Sequence, residues 1–161
     1  MIVFIGNVLS DHGYNPSQVE LLSIKLDRYA EIKTYSNKLN KFYRMIDMLI
    51  GIFLNRGRKT IVFIDTYSHH AFNYALFCSL LCQIIRVKYI PILRGGNLPH
   101  RLKKNPYLTK IIFENSITNI SPSLFLKIKF KKCGFKTKYI PNIIEVKKYD
   151  FKLRKNYNPK L

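Results

Sequence analysis

The sequence predicts an α/β fold, an open parallel sheet of about six strands with helices on both faces, and three observations carry that prediction. Short β-rich apolar runs alternate with longer helical patterns from one end of the 161 residues to the other. Several of those runs are continuously apolar, as strands covered on both faces of a parallel sheet are. The connections are long enough to hold crossover helices, which parallel neighbours require.

Each element follows from its own residues. "IVFIGN", Ile2 to Asn7, is an apolar run closed by Gly-Asn and reads as a buried strand. In "PSQVELLSIKLDRY", Val19, Leu22 and Leu26 recur at helical spacing, and Ser17 with Glu20 forms a capping-box signature. "EIKTYS" reads as a short, partly exposed edge strand. Residues 39–54 form a helix with a wide apolar face, for which "NRGRK" predicts a glycine stop and a basic last turn. "TIVFIDTYS", residues 60–68, is a second buried strand with an acidic, hydroxyl-rich tip. Residues 71–85 make a nearly all-apolar helix, and "KYIPIL" a third buried strand that runs into a loop, Arg94 to Arg101. "PYLTKIIFENS" fits a helix and "ITNIS" a strand. "SPS" predicts an N-cap followed by proline at the first helical position. "LFLKIKFKK" alternates like a strand yet also pairs apolar residues four apart; the serine start and Gly134 stop favour a helix. "TKYIPNII" is the last strand. Together these elements make a Rossmann-like domain over residues 1–145, followed by a basic linker over residues 146–161 that has no core pattern of its own.

Composition narrows the partners. Twenty-eight Lys and Arg against nine Asp and Glu give a formal charge of +19, far more than solubility requires. Such a charge suits nucleic acid, an anionic membrane surface and a phosphate-bearing substrate alike, and does not rank them. Nucleic acid is not expected, because Phe125, Phe130 and Phe135, interleaved with the lysines near the C-terminal third, read as core residues rather than a stacking platform. Cys78, Cys82 and Cys133 have neither disulfide-framework nor zinc spacing and read as buried thiols in a reducing compartment. The start lacks a signal-peptide pattern, and the longest apolar stretch is shorter than a bilayer-spanning helix needs. A cytoplasmic protein, peripheral at the inner membrane face, is the resulting expectation.

In open parallel sheets ligands sit at the carboxyl ends of the strands, which directs attention to residues 6–16, 65–70, 94–101 and 121–123. Gly6 and Gly13 stand too far apart for a dinucleotide fingerprint, and no P-loop occurs. No Asp-x-Asp pair or Cys/His cluster implies a metal, and no cofactor is expected. Arg94-Gly95-Gly96-Asn97 is the most informative stretch. Glycines at a strand end allow close approach of backbone amides, and the arginine offers a forked donor for phosphate or carboxylate. Asp65, Ser68, His69 and His70 follow a strand tip, where a proton acceptor or hydroxyl-binding group is useful; helix capping is the commoner role for Asp65 or Ser68. His12 lies in the first loop beside Gly13. The candidate site therefore comprises His12, His69 and Arg94 as weak catalytic candidates. Gly6, Asn7, Gly13, Asp65, Ser68, His70, Arg94, Gly95, Gly96 and Asn97 are its substrate-binding candidates.

The order of "DTYSHHAFNYA", "PILRGGNLPHRL", "NISPSLFL" and "KYIPNIIEVKKYDFKLRKNYNPKL" resembles the N-terminal half of bacterial glycosyltransferases of family 4, which have the GT-B fold. The resemblance implies an acceptor-side domain facing a donor domain across a cleft. It implies transfer from a nucleotide sugar to a cell-envelope or polysaccharide acceptor, glycan or lipid-linked, without a metal. On that likeness the loop Arg94 to Pro99 would lie near the donor phosphates, and residues 7–15 and 65–70 would bound the acceptor pocket. Two departures stand out: Arg94 occupies a position where family members commonly carry histidine, and the paired glutamates of the donor domain are missing. The chain is thus expected to be half an enzyme, inactive alone, with its donor domain supplied in cis or in trans. The alternative is a non-catalytic module that recruits an anionic lipid, a polysaccharide precursor or a partner transferase domain.

Overall fold

A computed structural model describes residues 1–144; the basic segment 146–161 read as a linker lies outside the described residues. Six parallel strands form one sheet: β1 (Ile2–Ile5), β2 (Ile32–Tyr35), β3 (Ile61–Thr66), β4 (Lys88–Leu93), β5 (Asn119–Ser121) and β6 (Thr137–Tyr139), in the order β2-β1-β3-β4-β5-β6. Ile2 pairs with both Ile32 and Ile61, and Ile61 pairs with Lys88, so the first four strands start level with one another. The helices are α1 (Gln18–Leu26), α2 (Lys41–Leu54), α3 (Phe72–Ile84), α4 (Leu98–Lys104), α5 (Pro106–Phe113) and α6 (Leu124–Lys132), preceded by a 3-10 turn at Ser10–His12. This is the Rossmann-like α/β architecture, with β2 at an edge and a topological switch point between β1 and β3.

The two faces are covered unequally. Val3, Ile5, Val62, Ile64, Tyr89 and Leu93 pack under α2 to α6 in the main core. On the opposite face Phe4, Phe63, Ile92 and Ile120 meet a single helix among the described residues, α1, through Val19, Leu22 and Leu26, with Ile140–Ile143 bordering the same apolar surface. The cause is chain direction: α1 accompanies the one leftward step, β1 to β2, whereas every later crossover runs rightward and, being right-handed, lands on the other face.

Local chemistry explains most boundaries. Ser17 caps α1, accepting from the Glu20 amide while the Glu20 carboxylate accepts from the Ser17 amide at 2.6 Å. Asn40 caps α2 through the amides of Phe42 and Tyr43, so that helix starts two residues later than its apolar pattern. Its end is Asn55, whose amide donates to the Gly51 carbonyl at 2.7 Å; the expected glycine stop at Gly57 lies beyond, and no basic residue falls in the last turn. Ser123 caps α6 by accepting from the Leu126 amide, which places Pro122 outside the helix rather than at its first position. Gly134 ends α6 at φ +86°, as its sequence position suggests. A short helix, α4, occupies the second half of the expected loop; Pro99 in its first turn and Leu98 and Leu102 on its buried side account for it.

Candidate functional site

The carboxyl edge of the sheet carries the sequence-predicted residues, and the structure sorts them into two groups. The first is a buried row on the α1 face. Gly6 follows β1 directly, and a Cβ there would stand 2.7 Å from Val19 Cγ2 and 3.2 Å from Asp65 Oδ2, so the absent side chain is what admits the Asp65 carboxylate. Asp65 Oδ1 accepts from Arg94 Nε at 2.8 Å, and the two side chains are only 2 % and 8 % exposed. Arg94 Nη1 donates to Asn142 Oδ1 at 2.7 Å, tying β4 to the segment that follows β6, while Nη2 is buried and has no partner among the described residues. Burial raises the Asp65 pKa above its ordinary value, and the Arg94 charge offsets this only in part. Burial and the adjacent carboxylate together push the Tyr67 hydroxyl up to about 12.

Arg94 is therefore turned inward. Its guanidinium joins β3, β4 and Asn142 and borders a cavity of about 420 Å³ between α1 and the sheet, lined also by Phe4, Gln18, Ile92 and Ile120, while the backbone that follows it runs toward Ser68. Gly95 passes close to β3's loop: a Cβ on it would stand 2.9 Å from the Ser68 amide nitrogen. Gly96 faces open space, and the Gly95 carbonyl accepts from the Leu98 amide as α4 begins after its cap position, Asn97.

The second group is a polar cup of about 220 Å³ over the start of α3, lined by Ser68, His69, His70, Asn73 and Arg101. Arg101 stacks over the Phe72 ring at 4.3 Å, and its Nε is buried with no partner among the described residues. The His69 and His70 carbonyls accept from the Phe72 and Asn73 amides, which leaves both imidazoles exposed at the rim. Neither Asp65 nor Ser68 caps α3: its cap position is Ala71, with no side-chain bond, so the capping role read for them is not what they do. Arg101 and Asn73 complete the cup; the sequence offers Arg101 only as the end of the Arg94–Arg101 loop, because its placement depends on α4.

The remaining candidates stand apart from both groups. His12 Nε2 is 2.9 Å from the Asn37 carbonyl, linking the first loop to the β2–α2 loop. Gly13 closes the 3-10 turn at φ +82° with open space around it. Asn7 Oδ1 accepts from Arg44 Nη1 at 3.0 Å, a partner on α2 that the sequence pattern does not announce. In the first turn of α1, burial pushes the Glu20 carboxyl up, but bonds from Ser10 and Ser17 together outweigh it and hold the pKa below the ordinary value.

Two composition-based expectations change. Cys78 and Cys82 are buried, with the Cys82 thiol raised to about 12 by burial, but Cys133 is exposed at the end of α6. Phe130 and Phe135 pack with Phe113, whereas Phe125 is 55 % exposed with Lys129 Nζ 5.7 Å from its ring centre. It is the second residue of α6 and lies on the exposed side of that helix. Among the described residues no cluster of His, Cys, Asp or Glu could hold a metal, and no helix is long and apolar enough to cross a membrane. No family model matches the chain, and no curated protein or solved structure is significantly similar to it.

Proposed function

We propose that this chain is the acceptor-side half of a metal-independent glycosyltransferase that moves a sugar from a nucleotide-sugar donor to a cell-envelope or polysaccharide acceptor. The cup at the carboxyl edge supports this reading most. A hydroxyl, two imidazoles, an amide and a guanidinium around one opening suit a ligand that is both polyhydroxylated and anionic. Its position at the strand ends of a doubly wound sheet is where such folds bind ligands, and the formal charge of +19 favours a phosphate-bearing substrate.

In this reading the roles divide by exposure. His69 or His70 accepts a hydrogen bond from the acceptor hydroxyl, and Arg101 faces the diphosphate, either of a lipid-linked acceptor or of the departing nucleotide. Asp65 and Arg94 are positioning residues that hold the Gly95–Asn97 backbone against Ser68. The donor nucleotide is held by a second domain, joined to this one or separate from it, on the cytoplasmic side of the membrane. The competing reading, a non-catalytic module for an anionic lipid or glycan precursor, uses the same cup without turnover.

The test is binding of a polyprenyl-diphosphate-linked sugar in detergent micelles. The proposal expects Arg101→Gln to weaken binding about tenfold, with Arg101→Lys intermediate and the melting temperature of both within a few degrees of the parent. Equal binding by all three proteins would remove the cup from the account.

A further inference from the structure

The outer side of the helical layer carries a surface that the carboxyl-edge site does not use. On α2, Tyr43, Ile46, Ile50, Phe53 and Leu54 recur at helical spacing and are all exposed, Phe53 by 46 %. On the adjoining α3, Phe77 and Ile84 are 49 % and 76 % exposed. Between them runs a crease of about 460 Å³ lined entirely by apolar side chains, among them Leu49, Ile50, Phe53, Phe77 and Ile84. A continuous apolar face of this kind on a soluble helix pair marks an interaction surface.

Its rim is basic. The turn after α2 exposes Arg56, Arg58 and Lys59, and the turn after α3 with the start of β4 exposes Arg86 and Lys88. Arg56 lies over the Phe53 ring at 4.0 Å, which sets a cation at the edge of the apolar strip. Across both helices and both turns Asp47 is the one carboxylate. None of these five cations is ion-paired among the described residues.

We infer that this α2/α3 face docks on an anionic lipid bilayer, with the Phe53–Phe77–Ile84 strip entering the headgroup boundary and the basic turns meeting lipid phosphates. The charge pattern selects that occupant. A second copy would bring two cationic rims together in a molecule of formal charge +19, whereas anionic headgroups neutralise them and acyl chains fill an apolar crease without needing polar partners. The orientation that results rests on the proposed function. α2 and α3 both begin at the carboxyl edge of the sheet, so a protein lying on this face holds the Ser68–Arg101 cup at headgroup level, within reach of a lipid-linked acceptor.

The chain contains no tryptophan, which makes single-tryptophan reporters clean. Full-length Phe77→Trp is mixed with phosphatidylcholine vesicles, with and without one-third phosphatidylglycerol, and Ile24→Trp on α1, across the sheet, serves as the control. The proposal expects flotation with the anionic vesicles at low salt and at least tenfold weaker binding to phosphatidylcholine alone. It also expects a blue shift and brominated-lipid quenching for position 77 but not 24. Ile50→Glu with Phe77→Glu loses at least tenfold in binding. Arg58→Gln with Lys59→Gln loses roughly 25-fold, fivefold per cation, since each contributes about 1 kcal/mol near an anionic surface. No vesicle binding overturns the proposal, as does quenching at position 24 rather than 77. So does a dimer in sedimentation equilibrium that Ile50→Glu converts to monomer. None of these arms uses a sugar, so the inference fails or stands apart from glycosyl transfer.

Discussion

Replacing Arg94 with methionine removes the cation that compensates a carboxylate only 2 % exposed, while keeping most of the side-chain volume. Breaking a buried pair by deleting one partner costs about 3–5 kcal/mol, because the remaining charge is left without compensation. In a domain of this size that corresponds to a fall in melting temperature of roughly 6–20 °C. The loss depends on pH, and its sign follows from Asp65. Its folded pKa already lies above the ordinary value, so this group's contribution to stability is fully present below the unfolded carboxylate pKa. It is lost as pH rises through the folded value. Without Arg94 the carboxyl moves further up, and the deficit widens from acid toward neutral pH. Urea denaturation of the parent, Arg94→Met, Asp65→Asn and the double variant at pH 4.5 and 7 measures this as a cycle. The expected pattern is two costly single changes and a double variant that recovers much of the loss. A cost below about 1 kcal/mol for Arg94→Met with no pH dependence would refute the claim that this pair organises the carboxyl edge.

Further outcomes follow from local geometry. Gly6→Ala should destabilise by about 1–3 kcal/mol, since its Cβ meets Val19 and Asp65, and a melting curve reads this directly. Gly95→Ala should disturb the Ser68 contact and change amide shifts across the cup, whereas Gly96→Ala, in open space, should stay within about 0.5 kcal/mol of the parent. Arg86 sits at φ 56° just after α3, so Arg86→Gly should stabilise by about 0.5–1 kcal/mol in urea unfolding. Glu20→Gln should cost about 1 kcal/mol at neutral pH; because the Glu20 pKa is lowered in the fold, that difference should vanish as pH falls through its folded value.

The fold was legible because its signals are local and redundant. Continuous apolar runs marked β1, β3 and β4, and the Ser17–Glu20 pair marked the start of α1 to the residue. What escaped depended on neighbours in space. The helix Leu98–Lys104 is only seven residues long, and its apolar residues Leu98 and Leu102 acquire meaning from the core they enter. The place of Arg94 beside two glycines suggests a ligand donor; the structure gives that guanidinium to Asp65, 29 positions earlier in the chain, and to Asn142, 48 positions later. Arg101, by contrast, gained its place in the cup only when α4 turned it onto Phe72. Residue type announced that arginines mattered at this edge, but not which of them was committed to the scaffold.

The central claim, an acceptor-side half whose donor is held elsewhere, is tested most directly by titrating the purified chain with a panel of nucleotide sugars while following release of free nucleotide. The account predicts binding no tighter than about 1 mM and no turnover above background, with or without a lipid-linked acceptor. Micromolar binding of one nucleotide sugar, or nucleotide release by the chain alone, would contradict it and place the donor site within these residues.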